Sequence, residues 1–196
     1  MFRTFPGGVT LPDTPEAHVV ALFWGVFLVT WVLAAFFTKR TIERGNRYWG
    51  LAAVVMIAAF FVVRRVGVTD SVLWSYTQTL GLTADAIVGL GLFLALWARF
   101  ALGRNWSGQV TFKQDHELIT TGPYALARHP IYTGMILMLL GTAILVGHAV
   151  PFAFTAVLTF TLWIKSQIEE QLMVKHFPEA YPAYRRRVSA LIPFVL

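Results

Sequence analysis

Long apolar runs broken by short basic clusters set the pattern of the chain. From Ala17 to Thr38 almost every position is apolar, Trp24 and Trp31 among them, and the run stops at Lys39 and Arg40. A helix of that length crosses a hydrocarbon core of about 30 Å. Tyr48 to Val63 is shorter, with an aromatic pair at one end and Arg64 and Arg65 at the other. Those arginines can snorkel to the headgroups, so the run is read as a second span. Val66 to Thr79 is mixed in character and suits an interfacial connection. Leu80 to Ala98 gives a third span; Gly81, Gly89 and Gly91 within it lack the preceding strand and the spacing of a dinucleotide loop, and predict close helix packing instead.

After Ala98 the pattern changes. The segment from Arg99 to Pro130 is too polar to span and too apolar for a disordered tail, and long connections of this kind usually carry function. Ile131 to Val146 and Pro151 to Ile164 follow as two short apolar runs with Gly147, His148, Ala149 and Val150 between them, and Pro151 is placed to open a helix. They predict a hairpin that crosses the membrane and returns. From Lys165 the last helix continues into water, meets Pro178 and Pro182, and ends in the apolar Leu191 to Leu196. The expected fold is all-α: a polytopic membrane bundle of about five transmembrane helices forming one domain over residues 1–196. Residues 17–98 hold three spans, and residues 99–196 hold the connection, the hairpin 131–164 and a tail that together make a small cofactor-binding lobe.

Composition supports a lipid-embedded body, since with 57% hydrophobic and 13% charged residues there is too little polar surface to cover a soluble globule of 196 residues. The net charge of +6 does not form a continuous basic stripe, which argues against nucleic acid as a partner. Its distribution sets an orientation instead. With the N-terminus outside, thirteen of the sixteen Lys and Arg residues fall on inner segments, and only Arg3, Arg64 and Arg65 fall outside. The long connection and the charged tail then share the cytoplasmic face. Met1 to Glu16 carries little positive charge and no compact signal-peptide pattern, so no cleavage is expected. The absence of cysteine excludes disulfides, thiolate metal sites and cysteine nucleophiles.

Candidate chemistry gathers in the connection, which holds Gln109, Asp115, His116, Glu117, Tyr124, Arg128, His129 and Tyr132. Singly, each histidine reads as an ordinary interfacial residue and Arg128 as a positive-inside anchor. As a set they are framed by the turn at Gly122-Pro123 and by Pro130 at the next helix start. Glu169 and Glu170 lie just past the fifth span, roughly 27 Å along a helix beginning near Pro151, at the cytoplasmic interface. Lys165 and Glu169 are four apart on one helix face and can pair. Two adjacent carboxylates near a helix C-terminus oppose its dipole, so a cation is expected beside them, from Arg185 to Arg187 or from a ligand. His148 and His176 are not spaced with His116 or His129 as metal ligands, so no metal is expected. Neither a P-loop nor a GxSxG element is present.

These residues, in order, resemble the isoprenylcysteine carboxyl methyltransferase family. The resemblance rests on Asn105-Trp106-Ser107, His116-Glu117-Leu118-Ile119, Gly122-Pro123-Tyr124, Arg128-His129-Pro130-Ile131-Tyr132-Thr133-Gly134 and Glu169-Glu170, with Phe177, Tyr181, Tyr184, Val188 and Ile192-Pro193 beyond. It covers Leu102 to Phe194, and the ordered combination makes it specific. It implies a helical membrane bundle that encloses S-adenosylmethionine between the connection and the C-terminal segment. Cofactor contacts are implied for Gln109, His116, Glu117, Leu118, Ile119, Tyr124, His129, Pro130, Ile131 and Tyr132, with Glu170 as a further acceptor; catalytic or acceptor roles fall to Glu169, Lys165 and Arg128. One position departs from the family, which typically carries Arg where this chain has Lys165. Lysine keeps the charge and loses the planar fork that grips a carboxylate.

The implied activity is methyl transfer to a lipophilic or lipidated acceptor reached from the membrane lipid, a carboxylate of isoprenylcysteine type. A phospholipid amine is an alternative acceptor, since phospholipid N-methyltransferases look similar in this region. Membrane sterol reductases are similar in outline but bind NADPH, whose 2′-phosphate calls for further basic residues. A non-enzymatic membrane scaffold is the remaining reading and would bind neither cofactor.

Overall fold

The computed structural model describes residues 2–4, 10–37, 40–44, 54–56, 58–59, 61–62, 65, 71–106, 111–113 and 117–191. Its helices are α1 (Pro15–Ala35), α2 (Gln78–Leu102), α3 (Pro130–Val146), α4 (Ala149–His176) and the short α5 (Ala180–Arg185). α1, α2 and α4 are long and apolar enough to cross a membrane, and α3 is a shorter apolar helix of 17 residues. The predicted helical membrane bundle is borne out. Most of the predicted second span, Tyr48 to Val63, lies outside the described residues.

Local sequence explains where the helices begin and end. Thr14 caps α1 by accepting from Ala17 N–H at 3.3 Å, with Pro15 in the first turn, and Thr77 caps α2 through Leu80 N–H at 3.2 Å. α2 stops at Gly103, whose φ of 53° favours glycine. The two apolar runs expected after Pro130 are both helical, the first forming α3 almost residue for residue. The second belongs to a continuous helix of 28 residues, Ala149–His176, because its polar last third finds partners in the protein.

α2 and α3 form the most extensive helix pair. The buried face of α2 is a stripe of small residues, Gly81, Ala84, Val88, Gly91, Ala95 and Ala98, alternating three and four positions apart. Against it lie Gly134, Met138, Gly141 and Leu145 of α3. A Cβ on Gly91 would sit 2.6 Å from the Gly134 carbonyl oxygen, and one on Gly134 would sit 2.5 Å from that of Gly91. Such backbone approach is how helices associate in lipid, where apolar side chains gain nothing by leaving it. The expectation of close packing is met at Gly91; Gly81 makes room for Tyr76 and Glu16, and Gly89 faces Phe23. α1 packs on α2, and Trp24 reaches α3 by donating to Thr142 Oγ1 at 3.0 Å.

At the far end of the bundle from the candidate site, residues 71–77 clasp the α3–α4 turn. Leu73 N–H donates to the Gly147 carbonyl at 2.8 Å, Ala149 N–H to the Ser71 carbonyl at 3.0 Å, and Trp74 Nε1 to the Ile144 carbonyl at 3.0 Å. Gly147 has a φ of 69°, and a Cβ there would lie 2.5 Å from the Trp74 carbonyl oxygen, so glycine is required on two grounds. Two antiparallel ladders were not anticipated: β1 (Phe2–Thr4) with β2 (Thr10–Pro12), and β3 (Thr41–Arg44) with β4 (Thr111–Lys113).

Gly134→Leu should destabilise the bundle by roughly 1–3 kcal/mol or more, the range for overpacking. Gly25, which has nothing within 4 Å of an added Cβ, should accept Leu with little effect. Thermal unfolding in detergent compares the two, and equal midpoints would refute the close-packed α2–α3 seam.

Candidate functional site

The start of α3 and the last third of α4 bring the signalled residues together. Arg128 and His129 lie just before α3 and Tyr132 in its first turn, while Lys165, Glu169 and Glu170 occupy adjoining faces of α4. The adjacent glutamates part company. Glu170, with a side chain 2% exposed, accepts from Arg128 Nε at 2.8 Å and has Arg128 Nη2 2.8 Å from the same Oε1. His129 Nε2 also lies 3.2 Å from that oxygen. Arg185 Nε stands 3.3 Å from Glu170 Oε2 as an ion pair, yet that buried oxygen has no hydrogen-bond partner. Glu169, 22% exposed, instead accepts the Tyr132 hydroxyl at 2.7 and 2.8 Å through its two oxygens. Lys165 Nζ is 3.7 Å from Glu169 Oε1 and 5.2 Å from the Tyr132 ring centroid. The rings of His129 and Tyr132 stack, 5.4 Å apart with 3° between their planes.

The electrostatic problem of two carboxylates near a helix C-terminus is thus resolved by cations and by the N-terminal end of α3, where negative charge is favoured. Arg185 is one expected cation; Arg128 is the more intimate one. Its guanidinium also donates to the carbonyls of Arg185, at 3.3 Å, and of Val188. The chain beyond α5 is fastened by Arg128 N–H to the Ser189 carbonyl and His129 N–H to the Ala190 carbonyl, both at 2.9 Å, and by Thr133 Oγ1 to the Leu191 carbonyl at 2.6 Å. Arg128 therefore binds the C-terminal segment over the start of α3.

Tyr124 and Ile131 lie in a buried cluster with Ala98, and Ile119, Tyr132, Trp106 and Leu102 pack around it. The Tyr124 hydroxyl faces the Ala98 carbonyl at 3.4 Å, and its own carbonyl accepts from the Tyr184 hydroxyl. Burial pushes the Tyr124 and Tyr181 phenols up and that of Tyr184 up to about 12. Pro130 is buried at the start of α3, Leu118 is half-buried and Glu117 is exposed. Gln109, Asp115 and His116 lie outside the described residues. No group of three or more His, Asp or Glu side chains among the described residues can hold a metal ion.

Arg99 has a role that charge alone does not reveal. Counted as an inner-face topology residue, it is buried at 4% exposure and donates to the Ala34 carbonyl at the end of α1 and to the Gly103 carbonyl, both at 2.7 Å. Trp106 stacks beneath its guanidinium at 4.6 Å. The donors add to the turn bonds that these helix-end carbonyls accept from Phe37 N–H at 3.2 Å and Trp106 N–H at 3.4 Å. Sequence reasoning also passed over Glu43, Lys175 and His176, which form a separate charged group. Their signal is faint: a lone acid among basic residues, and a lysine and a histidine in a helix's last turn.

The fold and site define an integral membrane protein whose polar residues converge at one end of an apolar bundle. Residues 79–180 match the phospholipid methyltransferase family, and the chain belongs to it. The resemblance to isoprenylcysteine methyltransferases is borne out as well. Protein-S-isoprenylcysteine O-methyltransferase of Schizosaccharomyces pombe is 35% identical over 112 residues, covering 54% of this chain and 46% of that protein. The Saccharomyces cerevisiae protein of the same name is 30% identical over 115 residues, covering 56% of this chain and 47% of its own. The chain thus spans about half the length of these relatives. The solved structure of a eukaryotic intramembrane Ras methyltransferase, an isoprenylcysteine carboxyl methyltransferase, shares the fold, with a TM-score of 0.57 at 24% identity over 92% of this chain and 65% of that one.

Glu170→Ala leaves the buried Arg128 uncompensated and should cost roughly 3–5 kcal/mol. The check is thermal unfolding in detergent together with tryptic cleavage near Arg185, which should quicken; unaltered cleavage would count against the fastening. Alkaline pH tests Tyr184. Its folded form holds the proton up to about 12 against an ordinary 10.0, so its stabilising contribution is complete below the lower value and is lost as pH rises through the upper one. Tyr184→Phe should accordingly show a shallower fall in thermal midpoint across that window than the parent chain.

Proposed function

We propose that the chain is an S-adenosylmethionine-dependent methyltransferase acting on a lipophilic acceptor drawn from the bilayer, a carboxylate of isoprenylcysteine type. The observation that carries the reading is the junction of the Arg128-to-Tyr132 element with Glu169, Glu170 and Lys165 at the membrane face. The residues fit the cofactor. Glu170 Oε2 is a buried acceptor without a hydrogen bond, the His129–Tyr132 stack offers a flat aromatic wall, and Ile119, Tyr124, Ile131 and Tyr132 share one apolar cluster. Gln109, His116, Glu117, Leu118 and Pro130 complete the proposed contacts. When bound, S-adenosylmethionine supplies a methyl group activated by its sulfonium.

The protein's share of the chemistry is alignment and exclusion of water. A carboxylate acceptor is already ionised, and the Lys165 ammonium supplies the charge that orients it. Arg128 acts by holding Glu170 and the C-terminal segment in place. The Tyr132 hydroxyl and Lys165 keep Glu169 at the mouth of the site. A second acceptor class is supported by Lys165 standing where the family expects Arg: the forked grip on a carboxylate is missing, and Glu169 is placed to take a proton from a phospholipid amine. The surplus of basic residues on the segments flanking the site supports a cytoplasmic position for it, with the N-terminus outside.

Calorimetric titration of the purified protein should show binding of S-adenosylhomocysteine and not of NADPH; the opposite result replaces the methyltransferase with a reductase, and binding of neither supports a scaffold. Incubation with radiolabelled methyl donor and either a farnesylated cysteine or phosphatidylethanolamine then separates the acceptors. Glu169→Gln should cut turnover by ~10²-fold or more, as loss of a general base does, and leave cofactor affinity near that of the parent if the acceptor is the amine. His129→Ala and Tyr132→Phe should weaken cofactor binding, and unchanged affinity in both would remove them from the pocket.

A further inference from the structure

Glu43 belongs to the N-terminal half of the chain, outside the segment matched to the family, yet it touches the end of the helix that carries the candidate site. Its Oε1 accepts from Lys175 Nζ at 2.7 Å, and its Oε2 meets His176 Nε2 at 2.9 Å. Both partners lie in the last turn of α4, where cations are favoured by the helix dipole. The hydrogen bonds from Lys175 and then His176 hold the Glu43 carboxyl below its usual range. Glu43 itself sits in β3, opposite Phe112 of β4, with Thr41 opposite Lys113 and Arg44 opposite Thr111.

The position of β4 gives this contact its interest. β4 lies within the long connection, and Glu117, Leu118 and Ile119 of the proposed cofactor contacts begin four positions after its last residue. A two-stranded ladder is marginal on its own in water and needs an outside anchor. Glu43 ties the ladder to α4, and α4 also contacts β4 directly. Glu170, beside Arg128, is six positions before His176, about 9 Å along the same helix axis. Three stretches distant in sequence, β3, the connection and the end of α4, thus meet around one carboxylate.

Building on the methyltransferase reading, we infer that Glu43 is a positioning residue: by bonding Lys175 and His176 it pins the β3–β4 ladder, and through it the cofactor-holding connection, to α4. It touches neither cofactor nor acceptor. Its loss acts on cofactor affinity and leaves the chemical step alone.

The test uses the full chain in detergent. In Glu43→Ala the amides of Thr111 to Lys113 should exchange hydrogen faster, with no cofactor present. The Kd for S-adenosylhomocysteine should rise about fivefold, the scale of a solvent-accessible ion pair near the top of its usual range. Turnover at saturating methyl donor should stay within about twofold, a pattern in which binding is lost without loss at the chemical step. The charge-exchanged pair Glu43→Lys with Lys175→Glu should recover most of the affinity that either single change loses. Unchanged exchange at 111–113, or unchanged affinity in Glu43→Ala, overturns the inference. So does a parallel fall in affinity, turnover and thermal midpoint that the exchanged pair fails to rescue. Parent protein that binds no S-adenosylhomocysteine overturns the methyltransferase reading and the role in affinity with it, while the exchange result still decides whether Glu43 anchors the strands.

Discussion

A single buried carboxylate, that of Glu170, holds one end of the molecule together. Taking it out of water is costly, and the cost is offset only because Arg128 approaches it along a guanidinium edge, His129 shares the same oxygen and Arg185 faces the other. Once Arg128 is fixed there, its remaining donors reach the carbonyls of Arg185 and Val188, and the main chain beside it takes up Ser189 and Ala190. The C-terminal segment, the first turn of α3 and the last third of α4 therefore share one centre of charge. Glu169, one residue earlier, is more exposed; it is linked to Tyr132 and Lys165 and lies 3.6 Å from the other ring nitrogen of His129.

Two kinds of constraint act along the bundle's length. Along its middle the helices are held by shape, with glycine facing glycine across α2 and α3. Lipid supplies no hydrophobic incentive for that association, so van der Waals contact between close backbones has to suffice. Near the aqueous face the bonds become electrostatic and directional. Arg99 marks the changeover, with its guanidinium closing the carbonyl ends of α1 and α2 just where the chain leaves the apolar zone.

The parts of this structure that could be read from sequence are those written in local pattern. The spans near Trp24 and Leu92, the Gly147 turn and the meeting of the Arg128-to-Tyr132 element with Glu169 and Glu170 all follow from hydrophobic length, glycine placement and ordered polar residues. What escaped notice depends on contacts distant in sequence. Nothing in Thr41–Arg44 or Thr111–Lys113 says that they pair, because strands of three or four residues carry almost no periodicity. Arg99 has the same composition signal as a surface anchor, and only the proximity of Ala34 reveals a capping role. The division of labour between Glu169 and Glu170 is likewise invisible in a doublet of identical residues, since burial rather than identity separates them.

The clasp of residues 71–77 on the Gly147 turn has a mechanical consequence when set beside the Glu170 centre. α3 and α4 are held together at both extremities, by the Gly147 turn clasped by residues 71–74 at one and by the Arg128–Glu170 ion pair at the other. A pair of rods joined at both ends cannot slide lengthwise past one another. Any parting of the two helices must come from bowing at mid-length or from a sideways swing of neighbouring elements, so the height of Glu169 relative to the start of α3 stays constant while the gap between the helices varies.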